Sequence, residues 1–137
     1  MSVLRIILGV IVGFVVWSIV WVGGEAMLAK LSPDWLGAYS LAAEKALVNG
    51  TEFTTDPAIA AIHLVRSFIT SIIAGYMAAL AAGEYKRSTL ILGILLVLVG
   101  VAVEYMTLAV APLWYHILFV IFLIPMTMLG GKLRRPS

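Results

Sequence analysis

The sequence predicts an all-α integral membrane protein, a four-helix bundle running up-down-up-down, with a short outer amphipathic helix between its first two spans. Three observations carry this. Of 137 residues, 63% are apolar and 12% charged, far from soluble domains, where about a quarter are charged. The stretch from Ser88 to Gly131 holds one acid or base, Glu104, apart from the two-way His116. A helix needs ~20 apolar residues to cross a hydrocarbon core of ~30 Å, so this stretch is a two-span hairpin with Ala111-Pro112 at its tip. Two further apolar runs, 3–25 and 57–82, complete the set. In lipid each backbone amide must be satisfied within its own segment, which makes all of them helical.

The single domain therefore spans the membrane near 3–25, 57–82, 88–109 and 112–131, with an outer segment at 26–56. Its first partner is the lipid bilayer. With no cysteine, disulfides, thiolate metal sites and thiol redox relays are excluded. A pI near 9.1 would suggest nucleic acid in a soluble protein, but here all the bases except Arg66 lie outside the apolar spans or at their ends and no nucleic-acid partner is expected.

The first span has a signal peptide as its rival reading, but the apolar run from Ile6 to Val22 is longer than the usual apolar region of such peptides. Gly9 and Gly13 form a G-x-x-x-G pair, which lets two membrane helices approach closely. Trp17 and Trp21 suit an interfacial belt, as do Trp35, Trp114 and Tyr115. In the outer segment, Ser32-Pro33 reads as a helix start. Leu36, Tyr39, Ala43, Ala46 and Leu47 then recur at helical spacing, with Ser40 and Glu44 assigned to the other face, and Asn49-Gly50 ends the helix. Asn49-Gly50-Thr51 is read as a turn rather than a glycosylation site.

Asp56-Pro57 pairs an N-cap with a first-turn proline and opens the second span. A row of small residues four apart follows, Ser67, Ser71, Gly75, Ala79 and Gly83, read as a helix–helix packing seam. The connection from 83 to 88 allows only an antiparallel turn. Pro125 lies inside the fourth span and removes the donor for the Ile121 carbonyl. Arg5, Lys86, Arg87, Lys132, Arg134 and Arg135 fall on one side of this topology, with Lys30 and Lys45 on the other. By the positive-inside rule both termini are cytoplasmic.

Trp21 with Gly23-Gly24-Glu25, Ala74-Gly75-Tyr76, and the run from Pro112 to His116 followed by Pro125 and Gly130 to Arg135 together resemble small bacterial four-span inner-membrane proteins. That resemblance implies a bacterial cytoplasmic membrane and no particular activity. Small multidrug-resistance transporters have similar length and span number, but place a working glutamate in the middle of the first helix, where this chain has Val, Trp, Ser and Ile.

The ionisable residues gather at one depth. His63 and Arg66 lie ~9 and ~14 Å below the outer end of their helix, and Glu104 ~10 Å below its own. His116 follows Pro112 by about a turn, and Glu25 caps the outer end of the first span. On a helical wheel Glu104 falls within about 40° of Gly93 and Gly100, a face that should pack against protein. His63, Ser67, Thr70 and Ser71 share an arc, with Arg66 at its edge. The bland reading is a structural Glu104–Arg66 ion pair, since an unpaired charge at a helix centre costs at least ~2.5–3.5 kcal/mol. The sharper reading is a transport or proton-relay site. Glu25, His63, Glu104 and His116 could in principle supply a metal, but there is no Glu-x-x-His motif and Arg66 stands where a ligand would be wanted, so no metal or other cofactor is expected. No nucleophile motif or nucleotide fingerprint occurs, and enzyme is the least favoured class. The function expected is that of a non-enzymatic membrane protein packing with itself as a homo-oligomer or with a larger complex. The alternative is a small-molecule or ion transporter working through the outer polar layer.

Overall fold

The computed structural model describes residues 3–51, 53, 56–84, 86–107 and 112–133, and every regular element among them is helical. Helix α1 (Val3–Leu31) is followed by a π-helical turn (Pro33–Gly37) and α2 (Ala38–Asn49). Three further helices complete the chain, α3 (Pro57–Ala82), α4 (Lys86–Met106) and α5 (Leu113–Leu133). All but α2 are long and apolar enough to cross a membrane. The protein is a multi-pass membrane protein built as an all-α four-helix bundle. Its outer surface carries Leu8, Ile19, Leu98 and Ile121, all exposed, as a bundle solvated by lipid requires. Its interior combines large apolar side chains such as Leu92, Leu123 and Phe119 with small residues that let helices approach, Ala74, Ala78, Ala79 and Ala82 with Ser67, Ser71, Thr89 and Thr127.

Helix α3 is central, packed broadly on α1 and on α5, while α4 leans mainly on α5 and touches α1 and α3 more lightly. The α3–α5 seam is the tightest. A Cβ on Gly75 would run into the Thr127 carbonyl, and one on Gly130 into that of Ile72. Gly9 and Gly13 open the same kind of contact between α1 and α3, against Ala82 and Ala78. Both small-residue rows are therefore used inside one chain. Gly83 departs from the predicted row. It adopts φ 76°, closes α3 as a left-handed cap by donating to the Ala79 carbonyl, and has the Arg5 guanidinium about 3 Å from where a Cβ would stand.

Local chemistry sets the other boundaries. Asp56 caps α3, its Oδ1 accepting from Ala58 N at 2.9 Å. Glu84 does the same for α4, accepting from the backbone amides of Arg87 and Ser88 at 2.9 and 2.7 Å. Ser32, predicted as an N-cap, makes no side-chain cap bond. The chain instead turns through a π-helical loop in which Gly37 N donates to Ser32 O at 2.9 Å. The tight fit of Gly37 against the Ala29 carbonyl explains a glycine there. Asn49-Gly50 ends α2 with Gly50 left-handed at φ 64°. Pro125 sits within α5, which runs on to Leu133. Ala111, the end of the expected third span at 108–109, Arg134 and Arg135 lie outside the described residues.

Helix α1 extends past the expected end at residue 25, to about 43 Å at the helical rise. Trp17 and Trp21 are therefore not at its end. They stack on each other at 5.3 Å and meet Phe119 edge-on, inside the bundle rather than in an interfacial belt. The amphipathic reading of α2 is also corrected. Tyr39, Ser40, Ala43, Glu44 and Leu47 all border one cavity, a single stripe rather than two faces. Helix α2 forms a roof over one end of the bundle. The other end holds Arg5, the Gly83 turn and the last turn of α5, and is called the terminal end below.

Candidate functional site

Beneath α2 lies a cavity of about 410 Å³, walled by α1, α3, α4 and α5. Helix α1 contributes Trp21 and Glu25, α3 contributes Ala60, His63 and Arg66, and α4 contributes Val103 and Glu104. Thr107 and Tyr115 complete the wall. Its rim is open to solvent at Glu25 and Glu44, both exposed. Its floor is aromatic and small. Trp17 lies one turn below Trp21, donates from Nε1 to Ser71 Oγ at 3.1 Å, and meets Phe119 edge-on at 6.3 Å. Below that floor Gly75 and Gly130 bring α3 and α5 into backbone contact.

Arg66 is the cavity's charge. Its carbon stem runs beside Gly24, where a Cβ would stand 3.4 Å from Cδ and Nη1. The guanidinium lies over the Trp21 indole, Cζ 3.7 Å from the ring centroid, a cation–π contact strengthened by desolvation. One Nη1 hydrogen goes to the Trp21 carbonyl, and Nη2 meets His63 Nδ1 at 3.1 Å. A guanidinium carries five N–H donors, so these two contacts leave donors over, and Nε is buried without a partner. Among the described residues no carboxylate lies within ion-pair distance of Arg66. His63 faces the guanidinium with its ring nitrogen as acceptor, because Arg66 can only donate.

The expected Glu104–Arg66 pair is not formed. Glu104 is paired with His116, its Oε2 on Nδ1, and both side chains are buried. The reason is helix order. The small face of α4 that carries Gly93, Gly100 and Glu104 packs on α5 against Ile124, Leu123 and Phe119, so the buried partner must come from α5. His116 Nε2 has no partner among the described residues. Of the residues weighed as a metal set, only Glu104 and His116 meet. His63 is turned to Arg66, Glu25 stays on the rim, and no group of three or more His, Asp or Glu side chains gathers among the described residues.

Ser67 and Thr70 return their hydroxyls to the backbone of their own helix, at the Leu64 and Arg66 carbonyls. They pack rather than serve the cavity. The roof is fastened by three aromatics. Trp35 Nε1 donates to Asp56 Oδ2 at 3.4 Å, Tyr39 Oη accepts from Asp56 N at 3.4 Å, and the Tyr39 and Phe53 rings meet edge-on at 5.0 Å. Partial burial pushes the Tyr39 hydroxyl above its ordinary pKa, so it stays protonated at neutral pH. Sequence reasoning missed Trp21 as the platform under Arg66, Tyr39 as a cavity residue and Gly130 as the partner of Gly75. The one signal for Trp21 was its position, about a turn before Glu25.

Searches against family models, curated proteins and solved structures return no match for this chain.

Proposed function

We propose that the protein works through the cavity beneath α2, which captures a small polar molecule at the outer face of a bacterial cytoplasmic membrane. The observation that carries this is a single guanidinium, Arg66, lining a cavity of about 410 Å³ with donors left over and, among the described residues, no carboxylate in ion-pair reach. Keeping an unpaired charge within a span costs at least ~2.5–3.5 kcal/mol. A purely structural role would be served by an apolar residue, and a bound ligand supplies the missing acceptor. The outward orientation rests on the count of bases, which gathers them at the terminal end. The aromatic floor supports a capture site over an open pore, because a continuous water path would need polar lining through both halves of the bundle. Passage across the membrane would then require Trp17, Trp21 and Phe119 to part, which places the reading in the carrier class.

Assembly with a homo-oligomer or a larger complex, the other expectation, drew on small-residue rows beyond what one bundle needs. The bundle consumes both rows internally, and that argument falls away.

The test is native mass spectrometry of the protein extracted in mild detergent from the membrane of its own host. A small molecule retained at one per chain is expected on the wild type and lost from Ala43→Trp, which fills the cavity from the roof while leaving the four spans untouched. Absence of any retained molecule, or equal retention by the filled variant, would overturn the reading.

A further inference from the structure

The cavity's charges are not scattered but polarised along the bundle axis. The lone cation is deep. Arg66 bonds to the Trp21 carbonyl and lies beside Gly24, just inside Glu25 on α1. The anions are shallow and come from two different elements, Glu25 on α1 and Glu44 on α2, both at the exposed rim. Glu104, the third carboxylate on the wall, is already matched by His116. A simple anion would satisfy Arg66 but pass two rim carboxylates to reach it. A simple cation would be held at the rim and leave the buried guanidinium as it is. A molecule with an anionic group at one end and an ammonium at the other satisfies both.

The guanidinium lies beside Gly24, and Glu25 is the next residue on α1, so only a short spacer fits between an acidic group on Arg66 and an ammonium at the rim. Aromatic faces at Trp21, Tyr39 and Tyr115 suit such a spacer and its ammonium. We propose that the ligand is a short zwitterion, bound with its carboxylate or phosphate on Arg66 and its ammonium between Glu25 and Glu44. This rests on the capture reading above and specifies its substrate class. The same chemistry occurs in a free amino acid or phosphoamine and in an aminophospholipid headgroup.

Two matched probe series decide it by calorimetric titration of the purified full chain. One is O-phosphoethanolamine against inorganic phosphate and ethanolamine, the other 4-aminobutyrate against butyrate and butylamine. At least one zwitterion is expected to bind about tenfold more tightly than either of its halves. Glu25→Gln with Glu44→Gln, both exposed, should erase that advantage while leaving the anion's own affinity unchanged or higher. Arg66→Gln should abolish binding of zwitterion and anion alike. Zwitterions that bind no better than their anions, no binding of any probe, or an advantage that survives the rim substitutions would each overturn the proposal. Repeating the titration in nanodiscs separates the sources. Weaker apparent binding in phosphatidylethanolamine than in phosphatidylglycerol makes the lipid headgroup the occupant, and equal binding makes it a free solute. Should native mass spectrometry show a retained neutral molecule or plain anion, the zwitterion fails and the capture reading stands. Should it show none, both fail.

Discussion

A buried carboxylate and a buried imidazole in contact can share one proton and present no net charge to the surrounding hydrocarbon. Glu104 and His116 meet as such a pair across the α4–α5 contact, Oε2 on Nδ1, and the pairing fixes the register of those two helices at the roofed end. Removing one member leaves the other buried without its partner, at the cost of an unsatisfied buried polar group, about 1–3 kcal/mol. Glu104→Leu and His116→Leu should each lower the free energy of unfolding in mixed micelles by that amount. The double variant should recover most of it. Arg66→Met combined with Glu104→Leu should instead be additive to within about 0.5 kcal/mol, and a strong coupling there would restore the pair that the fold does not form. At this scale the sequence disclosed a great deal. The depth of each ionisable residue could be counted from its helix end, and the polar layer at His63, Arg66, Glu104 and His116 follows from that count. Who pairs with whom could not be counted. Depth is a property of one helix, whereas pairing depends on which helices are neighbours.

Small residues spaced four apart announce that a helix will be approached closely, but not by what. Gly75 meets the backbone of α5 at Thr127 and Gly130 meets that of α3 at Ile72, so the seam is reciprocal and lies within the chain. Even a methyl group is too large there. Gly75→Ala should destabilise by about 1–3 kcal/mol, the usual range for overpacking, read as a lower midpoint of thermal unfolding in detergent. Gly23→Ala is the control, since a Cβ there meets nothing within 4 Å, and its midpoint should be unchanged or higher. Equal midpoints for Gly75→Ala and wild type would mean that the seam is loose. Element boundaries were legible where a side chain caps its own helix, as Asp56 does for α3. They were not where tertiary contact decides. Ser32 has the right identity for a cap, yet the turn at Gly37 against α1 draws the chain into a π-helical loop instead. Nothing local to Trp17 and Trp21 told that α1 would continue to Leu31 and leave them inside the bundle.

Across the whole molecule, hydropathy is enough to count the spans but says nothing of their arrangement. The order in space, with α3 between α1 and α5 and α4 leaning on α5, places the cavity, and it is set by which small faces fit. Orientation is a separate matter, decided by charge at the ends. Arg5, Lys86, Arg87 and Lys132 stand at the terminal end, with Lys30 and Lys45 near the roof. The proposed orientation, with the termini inside and α2 outside, rests on cytoplasmic retention of bases during insertion. Single-cysteine variants test this cleanly, because the chain has no cysteine of its own. In intact cells an impermeant maleimide should label a cysteine at Lys45, which is exposed on α2. A cysteine at Lys86, exposed at the start of α4, should react only after the membrane is opened. The reverse pattern would turn the molecule over, and the cavity would then take its ligand from the cytoplasm. A ligand added before labelling supplies the link from orientation to function. Ser40 borders the cavity, so O-phosphoethanolamine should slow the modification of a cysteine there and leave Lys45→Cys unaffected. Equal slowing at both positions would show that the probe acts on the reagent or on α2 as a whole rather than by filling the cavity.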